Sequence, residues 1–238
     1  MNDSTTVQFA PIGIAHSPYQ EKFTIPRQPG LAKVDAVIEL LPPFSQPEAV
    51  VGLDQFSHIW ITFVFHAVAE RTWKPLVRPP RLGGNEKIGV FATRSTHRPN
   101  PIGLSVVELI RIEIGDGVKL HIRGGDLLDG TPVLDIKPYI PYADAISQAR
   151  AGYAQYEPPS LPVRWRTDAL RSAQALSGDL QHLVEEVLRN DPRPAYQDEP
   201  ERIYGVHLAG CNVRFRIDAD GVEVIGIEVL RDGVPERS

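Results

Sequence analysis

The sequence predicts a mainly β protein, an antiparallel β-barrel in its N-terminal part followed by a small α+β C-terminal domain. Three observations predict it. In the first 140 residues short runs alternate apolar and polar side chains with period two, as strands with one buried face do. Prolines at 11, 18, 26, 29, 42, 43, 47, 75, 79, 80, 99 and 101 leave no room there for a long helix. Only near residue 180 does the apolar spacing change to a helical one. Many short strands without intervening helices favour a barrel or sandwich over a parallel doubly wound sheet.

Val34, Ala36, Ile38 and Leu40 alternate with Asp35, Val37 and Glu39 and form the first clear strand. In Phe56–His66 the same period puts Ile59, Ile61, Phe63 and Phe65 on a core face. His58, Trp60, Thr62 and His66 share the other face, whose mixture of imidazole, indole and hydroxyl suits the wall of a pocket. His58, inside the strand, reads as structural, and His66 at the strand end is the better functional candidate. Ile110, Ile112 and Ile114 alternate with Arg111 and Glu113, and Gly115-Asp116-Gly117 then turns the chain into Val118–Ile122, a hairpin signal. The barrel domain spans 7–146, and an Ala- and Gln-rich stretch broken by Pro158, Pro159 and Pro162 makes 147–164 a linker. In the second domain, 165–238, Leu180, Leu183, Val184, Val187 and Leu188 form one helical stripe, with Asp179 placed to cap it and Asp191-Pro192 to end it. Strands Asn212–Ile217 and Val222–Leu230, joined at Asp218–Gly221, close the fold.

A chain of 238 residues buries a sizeable core without disulfide or metal staples. Cys211 is the one cysteine, which excludes an internal disulfide and a multi-cysteine zinc site and suits a reducing compartment. The polar N-terminus lacks a signal-peptide pattern, and no run approaches the roughly 20 apolar residues of a membrane span. The expectation is a cytoplasmic protein without metal. Net charge is −5, yet Arg71, Lys74, Arg78, Arg81, Lys87, Arg94 and Arg98 face only Glu86 between residues 71 and 98, a local +6. The remainder, with 18 basic and 29 acidic residues, carries −11. Such segregation suits a surface for a polyanion on an acidic body that limits non-specific binding, or else cations paired with acids elsewhere in the fold.

The densest polar stretch is Phe91–Leu104, where two arginines, a histidine, three hydroxyls and an asparagine sit in a loop stiffened by Pro99 and Pro101. Pre-ordered loops of this kind bind ligands at lower entropic cost. Arg94 and Arg98 can each clamp a carboxylate or phosphate bidentately, or brace strand ends. Ile25–Gly30 sets Arg27 and Gln28 between prolines, and Asp126–Pro132 brings two carboxylates around a turn that Asp129-Gly130 itself explains. A G-x-G-x-x-G fingerprint, a Walker loop, a G-x-S-x-G elbow and paired metal-ligand spacing are all missing. Residue chemistry alone thus yields a β-rich protein with a basic, proline-stiffened site for an anionic partner.

Gly89–Leu104 and Asp126–Tyr139 together resemble signatures of the TsaA-like (TrmO) family. The likeness continues through Pro26-Arg27-Gln28, Phe56–His66 and Asp191-Pro192-Arg193-Pro194-Ala195-Tyr196, and so covers nearly the whole chain. The resemblance implies a β-barrel that binds S-adenosylmethionine without a Rossmann fold, usually as a homodimer. It further implies N6-methylation of threonylcarbamoyladenosine beside the tRNA anticodon. The cofactor contacts it implies are Pro26, Arg27, Gln28, His66, Ala67, Arg94, Leu104, Asp129, Gly130, Thr131 and Pro132. At Ala67 relatives often carry a polar residue, so here only backbone or van der Waals contact is expected. The urea-like target nitrogen must lose a proton as it attacks, and Asp129 or His66 is the expected base, with Asp135 and His97 in reserve. Arg71, Lys74, Arg78, Arg81 and Arg98 are expected to hold the RNA backbone, and Arg193 in the second domain to position the anticodon stem-loop. Two other readings stay open: a non-catalytic barrel that binds S-adenosylmethionine or RNA, and a methyltransferase acting on another RNA or a small molecule.

Overall fold

The computed structural model describes residues 6–68, 72–79, 82, 86–193, 199 and 201–230. In chain order the first part contains β1 (Gly13–His16), β2 (Asp35–Leu40), β3 (His58–Val64), a small ribbon of β4 (Leu76–Val77) and β5 (Ile88–Gly89), then β6 (Ile102–Gly115), β7 (Gly117–Arg123) and β8 (Thr131–Pro138). All but the ribbon close into an antiparallel barrel of order β1-β2-β7-β6-β3-β8. Closure leaves no unpaired sheet edge, which is how so short a set of strands satisfies its backbone.

The period-two pattern has its physical meaning here. Ile38, Ile59, Ile61, Val107, Leu120, Ile122 and Val133 point inward and are almost wholly buried. Gly103 belongs to the same interior because the Phe63 ring fills its side-chain position; a Cβ there would lie 2.3 Å from the ring. The Gly115–Gly117 turn joins β6 to β7 as expected, with Gly117 at φ 101. One detail departs from the pattern. The β6–β7 register shifts between Leu109 and Arg111, so Ile110 and Ile114 face solvent and only Ile112 packs against the core.

After α1 (Pro141–Asp144), the second part contains β9 (Val163–Trp165), α2 (Thr167–Leu176), α3 (Leu180–Leu188), β10 (Tyr204–Leu208), β11 (Cys211–Asp218) and β12 (Gly221–Val229). Its sheet has the order β10-β11-β12-β9, with β9 parallel to β12 and the others antiparallel. The α3 stripe is buried as its spacing requires, apart from the half-buried Leu183. Asp179 does not cap α3: it has helical backbone angles and no side-chain cap bond, and its own N–H donates to Ser177 Oγ at 3.3 Å. Strand β9 straddles the boundary expected between linker and second domain, and Leu161 and Val163 pack against the second core. That core also takes Tyr19, Ala32 and Val34 from the β1–β2 connection, so the two parts share one loop.

Candidate active site

In an antiparallel barrel of this order β1, β7 and β3 end where β2, β8 and β6 begin. Three connections therefore meet at one barrel end: residues 17–34, 65–101 and 124–130. All the residues expected to contact the cofactor lie in these connections or in the first turns of chain of β6 and β8.

Asp129 and Gly130 form the tightest part. Gly130 sits at φ 75, a left-handed conformation that favours glycine, and a Cβ on it would meet nothing within 4 Å. Asp129 N–H donates to the Tyr19 carbonyl and Gly130 N–H to the Ala15 carbonyl, each at 2.9 Å. Asp129 Oδ1 accepts Ser17 N–H at 3.0 Å, which aims the carboxylate. Next to it the Thr131 hydroxyl donates to the Leu128 carbonyl at 2.6 Å and lies 3.4 Å from His66 Nδ1. Pairing of β3 with β6 and β8 brings Leu104 opposite Thr62 and Val133 opposite Phe63, so His66, Leu104, Thr131 and Pro132 gather at one edge of the barrel mouth.

A second group borders the first. Arg94 Nη1 donates to Gln28 Oε1 at 2.5 Å, and the Ser105 hydroxyl donates to Asp126 Oδ1 at 2.5 Å. Burial holds the Asp126 carboxyl above the usual carboxylate range, while the Ser105 hydroxyl and the Arg94 guanidinium pull the other way. Ser105 follows Leu104 in β6, its side chain buried where that of Leu104 is exposed. Ser105 carries no functional signature in the sequence, and only the fold brings it and Asp126 toward Arg94.

The raised Asp126 carboxyl has a consequence for stability. An acid that binds its proton more tightly when folded stabilises the fold fully below its unfolded pKa, about 3.9. That contribution is lost as pH rises through the folded pKa. Asp126→Asn is neutral at every pH and still offers Ser105 an acceptor. It is expected to raise Tm at pH 7.5 by about 2–4 °C, with the gain shrinking toward pH 4. Thermal melts across that range check it, and a lower Tm at pH 7.5 would show that the Ser105 hydrogen bond and the attraction of Arg94 together outweigh burial.

Several expected contacts have other work. Arg98 Nη1 donates to the carbonyls of Thr93 at 2.7 Å, Val90 at 3.4 Å and Ser95 at 3.5 Å, so it braces its own loop instead of facing outward for RNA. Arg193, expected to position the anticodon stem-loop, pairs with Asp191 at 2.9 Å and is largely buried. Arg27 Nη2 reaches the carbonyls of Asp191 and Arg193, each at 3.3 Å. Asp135 is ion-paired with Lys137, and His97 Nδ1 lies 3.4 Å from the Thr96 hydroxyl. On the second face of β3, Trp60 Nε1 donates to Asp144 at 3.0 Å, and the Tyr139 ring lies beside Trp60 and His58. Ala67 is exposed and Pro26 is buried.

Of the basic segment, Lys74 and Arg78 are exposed and make no ion pair with another described residue, whereas Arg71 and Arg81 lie outside the described residues. Trp73 and Phe91, also exposed, interleave aromatic surface with these cations. A cleft of about 570 Å³ opens on the outer face of β1, β2, β6 and β7, lined by His16, Val37, Arg111, His121 and Asp129 among others. Its polar groups are already engaged, His16 by Glu39 and both Arg111 and His121 by Glu113. Of the expected cofactor residues it includes Asp129 alone, so the barrel mouth remains the better site. Among the described residues no group of three or more His, Cys, Asp and Glu side chains is placed to hold a metal. No helix among them is long and apolar enough to cross a membrane.

Comparison with known proteins is consistent along the whole length. The family model described as the tRNA-methyltransferase O N-terminal domain matches residues 14–145, and that of the TrmO C-terminal domain matches 158–230. A tRNA (adenine(37)-N6)-methyltransferase of Escherichia coli is 47% identical over 232 residues, covering 94% of this chain and 99% of the relative. A Pseudomonas aeruginosa protein described as an S-adenosylmethionine-dependent methyltransferase, RcsF, is 53% identical over 216 residues, covering 88% and 92%. The crystal structure of TrmO from Pseudomonas aeruginosa superposes with TM-score 0.79 at 45% identity, covering 95% of this chain and 99% of that one.

Proposed function

The chain belongs to the tRNA-methyltransferase O family, and from that premise we propose that it N6-methylates adenine 37 where it already carries a threonylcarbamoyl group. It is an S-adenosylmethionine-dependent tRNA (adenine-N6)-methyltransferase. The observation that carries the finer reading is the convergence of three loops at one barrel mouth beside an exposed basic segment.

The mouth suits the donor chemically. Arg94 offers a cation for a carboxylate, Asp126 and Asp129 offer anions, Leu104 offers apolar surface, and Gly130 leaves open space. When bound, S-adenosylmethionine supplies a methyl group made electrophilic by its sulfonium. Pro26, Arg27, Gln28, Arg94, Leu104 and the 129–132 turn orient it, and His66 and Ala67 close the side nearest β3. Much of the rate then comes from in-line positioning and from exclusion of water. The target nitrogen of a threonylcarbamoyl group is urea-like, with a delocalised lone pair, so a base is needed. Asp129, aimed by the Ser17 N–H, is that base in this reading, with His66 behind it.

Lys74 and Arg78, together with Arg71 and Arg81, hold the phosphates of the anticodon stem-loop, while residues 165–238 help position it. The enzyme works in the cytoplasm as a homodimer. Methyl transfer to tRNA with and without the threonylcarbamoyl group, run across a salt series, tests the reading. Transfer should need the modified base, and tRNA affinity should fall by ~10-fold or more between 50 and 200 mM salt for a few phosphate contacts. Equal rates on both tRNAs would overturn the substrate, and a flat salt response the basic surface. Donor binding without transfer would mean a binding module.

A further inference from the structure

The donor loop Pro26–Gly30 is held from two sides, and one of them is not the barrel. On the barrel side Gly30 N–H donates to the Gly124 carbonyl at 2.8 Å, and Gly124 N–H donates to Val34 at 3.0 Å. On the other side the last turn of α3 faces the same stretch. Glu186 Oε2 accepts Lys33 N–H at 2.6 Å. Asn190 Nδ2 donates to the Leu31 carbonyl at 3.3 Å and to the Glu186 carbonyl at 2.8 Å. The carbonyls of Asp191 and Arg193 accept from Arg27.

Glu186 is the telling residue. It is 5% exposed and buried like Leu180, Val184, Val187 and Leu188, but it lies off their stripe, on the flank of α3 that meets Lys33. An apolar side chain there would avoid the desolvation of a carboxylate, and its ion pair with the half-exposed Arg189, 2.8 Å apart, is weak evidence for stability. What the carboxylate adds is direction: it captures one backbone N–H three residues beyond Gly30. Tyr19, whose carbonyl accepts the Asp129 N–H at 2.9 Å, is buried in the same core as Val184, Val187 and Leu188, so the mouth and the helix end adjoin.

We propose that Glu186 and Asn190 are positioning residues for methyl-donor binding. Through the backbone of Leu31 and Lys33 they set the donor loop, so the C-terminal domain shapes the cofactor site as well as meeting RNA. The inference rests on the reading that Pro26–Gln28 contact the cofactor.

The test uses the full-length protein and the variants Glu186→Ala, Glu186→Gln, Asn190→Ala, Asn190→Asp and Gln28→Ala. Calorimetric Kd for S-adenosylmethionine, Kd for tRNA, Tm and amide exchange over residues 26–34 without ligand are the readouts. Glu186→Ala and Asn190→Ala are expected to weaken donor binding by about 10-fold, as loss of one buried hydrogen-bond partner does. Affinity for tRNA should stay within about twofold, and exchange should quicken in 26–34 but not in the barrel strands. Glu186→Gln keeps an acceptor for Lys33 N–H and should restore most of the affinity. Asn190→Asp has the same shape but no donor and should not. If Asn190→Asp binds donor normally, or if donor affinity holds while only Tm falls, Glu186 and Asn190 are core residues and the proposal fails. If Gln28→Ala also leaves donor affinity intact, the cofactor reading of the loop fails with it. Weakening by Gln28→Ala alone sinks only the role of α3.

Discussion

Asp129→Asn is expected to slow single-turnover methyl transfer by roughly 10²–10⁴-fold, the span of a lost general base, with donor affinity changed only a few-fold. The reason is geometric. Asn has the shape of Asp and its Oδ1 can still accept the Ser17 N–H that now holds Asp129 at 3.0 Å. The turn, with Gly130 at φ 75 and its two backbone bonds to Ala15 and Tyr19, has no cause to move. Only the ability to take a proton disappears. Rapid-quench measurement with saturating donor and modified tRNA isolates that step. His66→Asn is the control, since His66 sits on the far side of Thr131. A full rate in Asp129→Asn with a collapsed rate in His66→Asn would move the base to the imidazole.

The second large effect concerns binding. Arg94→Ala should weaken S-adenosylmethionine by about 100-fold, because it removes a charged donor and strands a partly buried carboxylate. Arg94 is the cation nearest Asp126 in this group and is fixed by Gln28 at 2.5 Å. Arg94→Lys should recover only part of the loss, since an ammonium cannot serve Gln28 and a ligand carboxylate as a planar fork does. Calorimetric titration reads both variants. An unchanged Kd in Arg94→Ala would mean that the guanidinium serves the loop alone, as that of Arg98 does.

The contrast between Arg94 and Arg98 shows where sequence reading stops. Both stand in one polar loop, four residues apart, and the residue types permit clamping or bracing for each. The path of the chain decides: Arg98 turns back onto the carbonyls of Val90, Thr93 and Ser95, while Arg94 reaches across to Gln28. Arg193 is similar, since its pairing with Asp191 depends on where α3 ends.

The regular elements were legible for local reasons. β2, β3, the β6–β7 hairpin, α3, β11 and β12 each bury one face against a single core, so their spacing states their structure. β9 and β10 are three and five residues long, too short for a period to show, and β9 becomes a strand only because β12 offers it an edge. Helix α2 follows directly in a polar stretch, Thr167–Leu176, whose only buried members are Ala169 and Ala173.

By itself the sequence determined a β-rich N-terminal part, a helix and hairpin in the C-terminal part, a segregated basic segment and the motifs of its family. Those depend on residue identity and on spacing within a few positions. Only the tertiary structure decided that three distant loops share one barrel mouth, that Asp126 lies beside Arg94, and that α3 holds the donor loop. Each of these joins residues from 32 to 166 positions apart. Contacts at such separations follow from strand order and barrel closure, which no local pattern records.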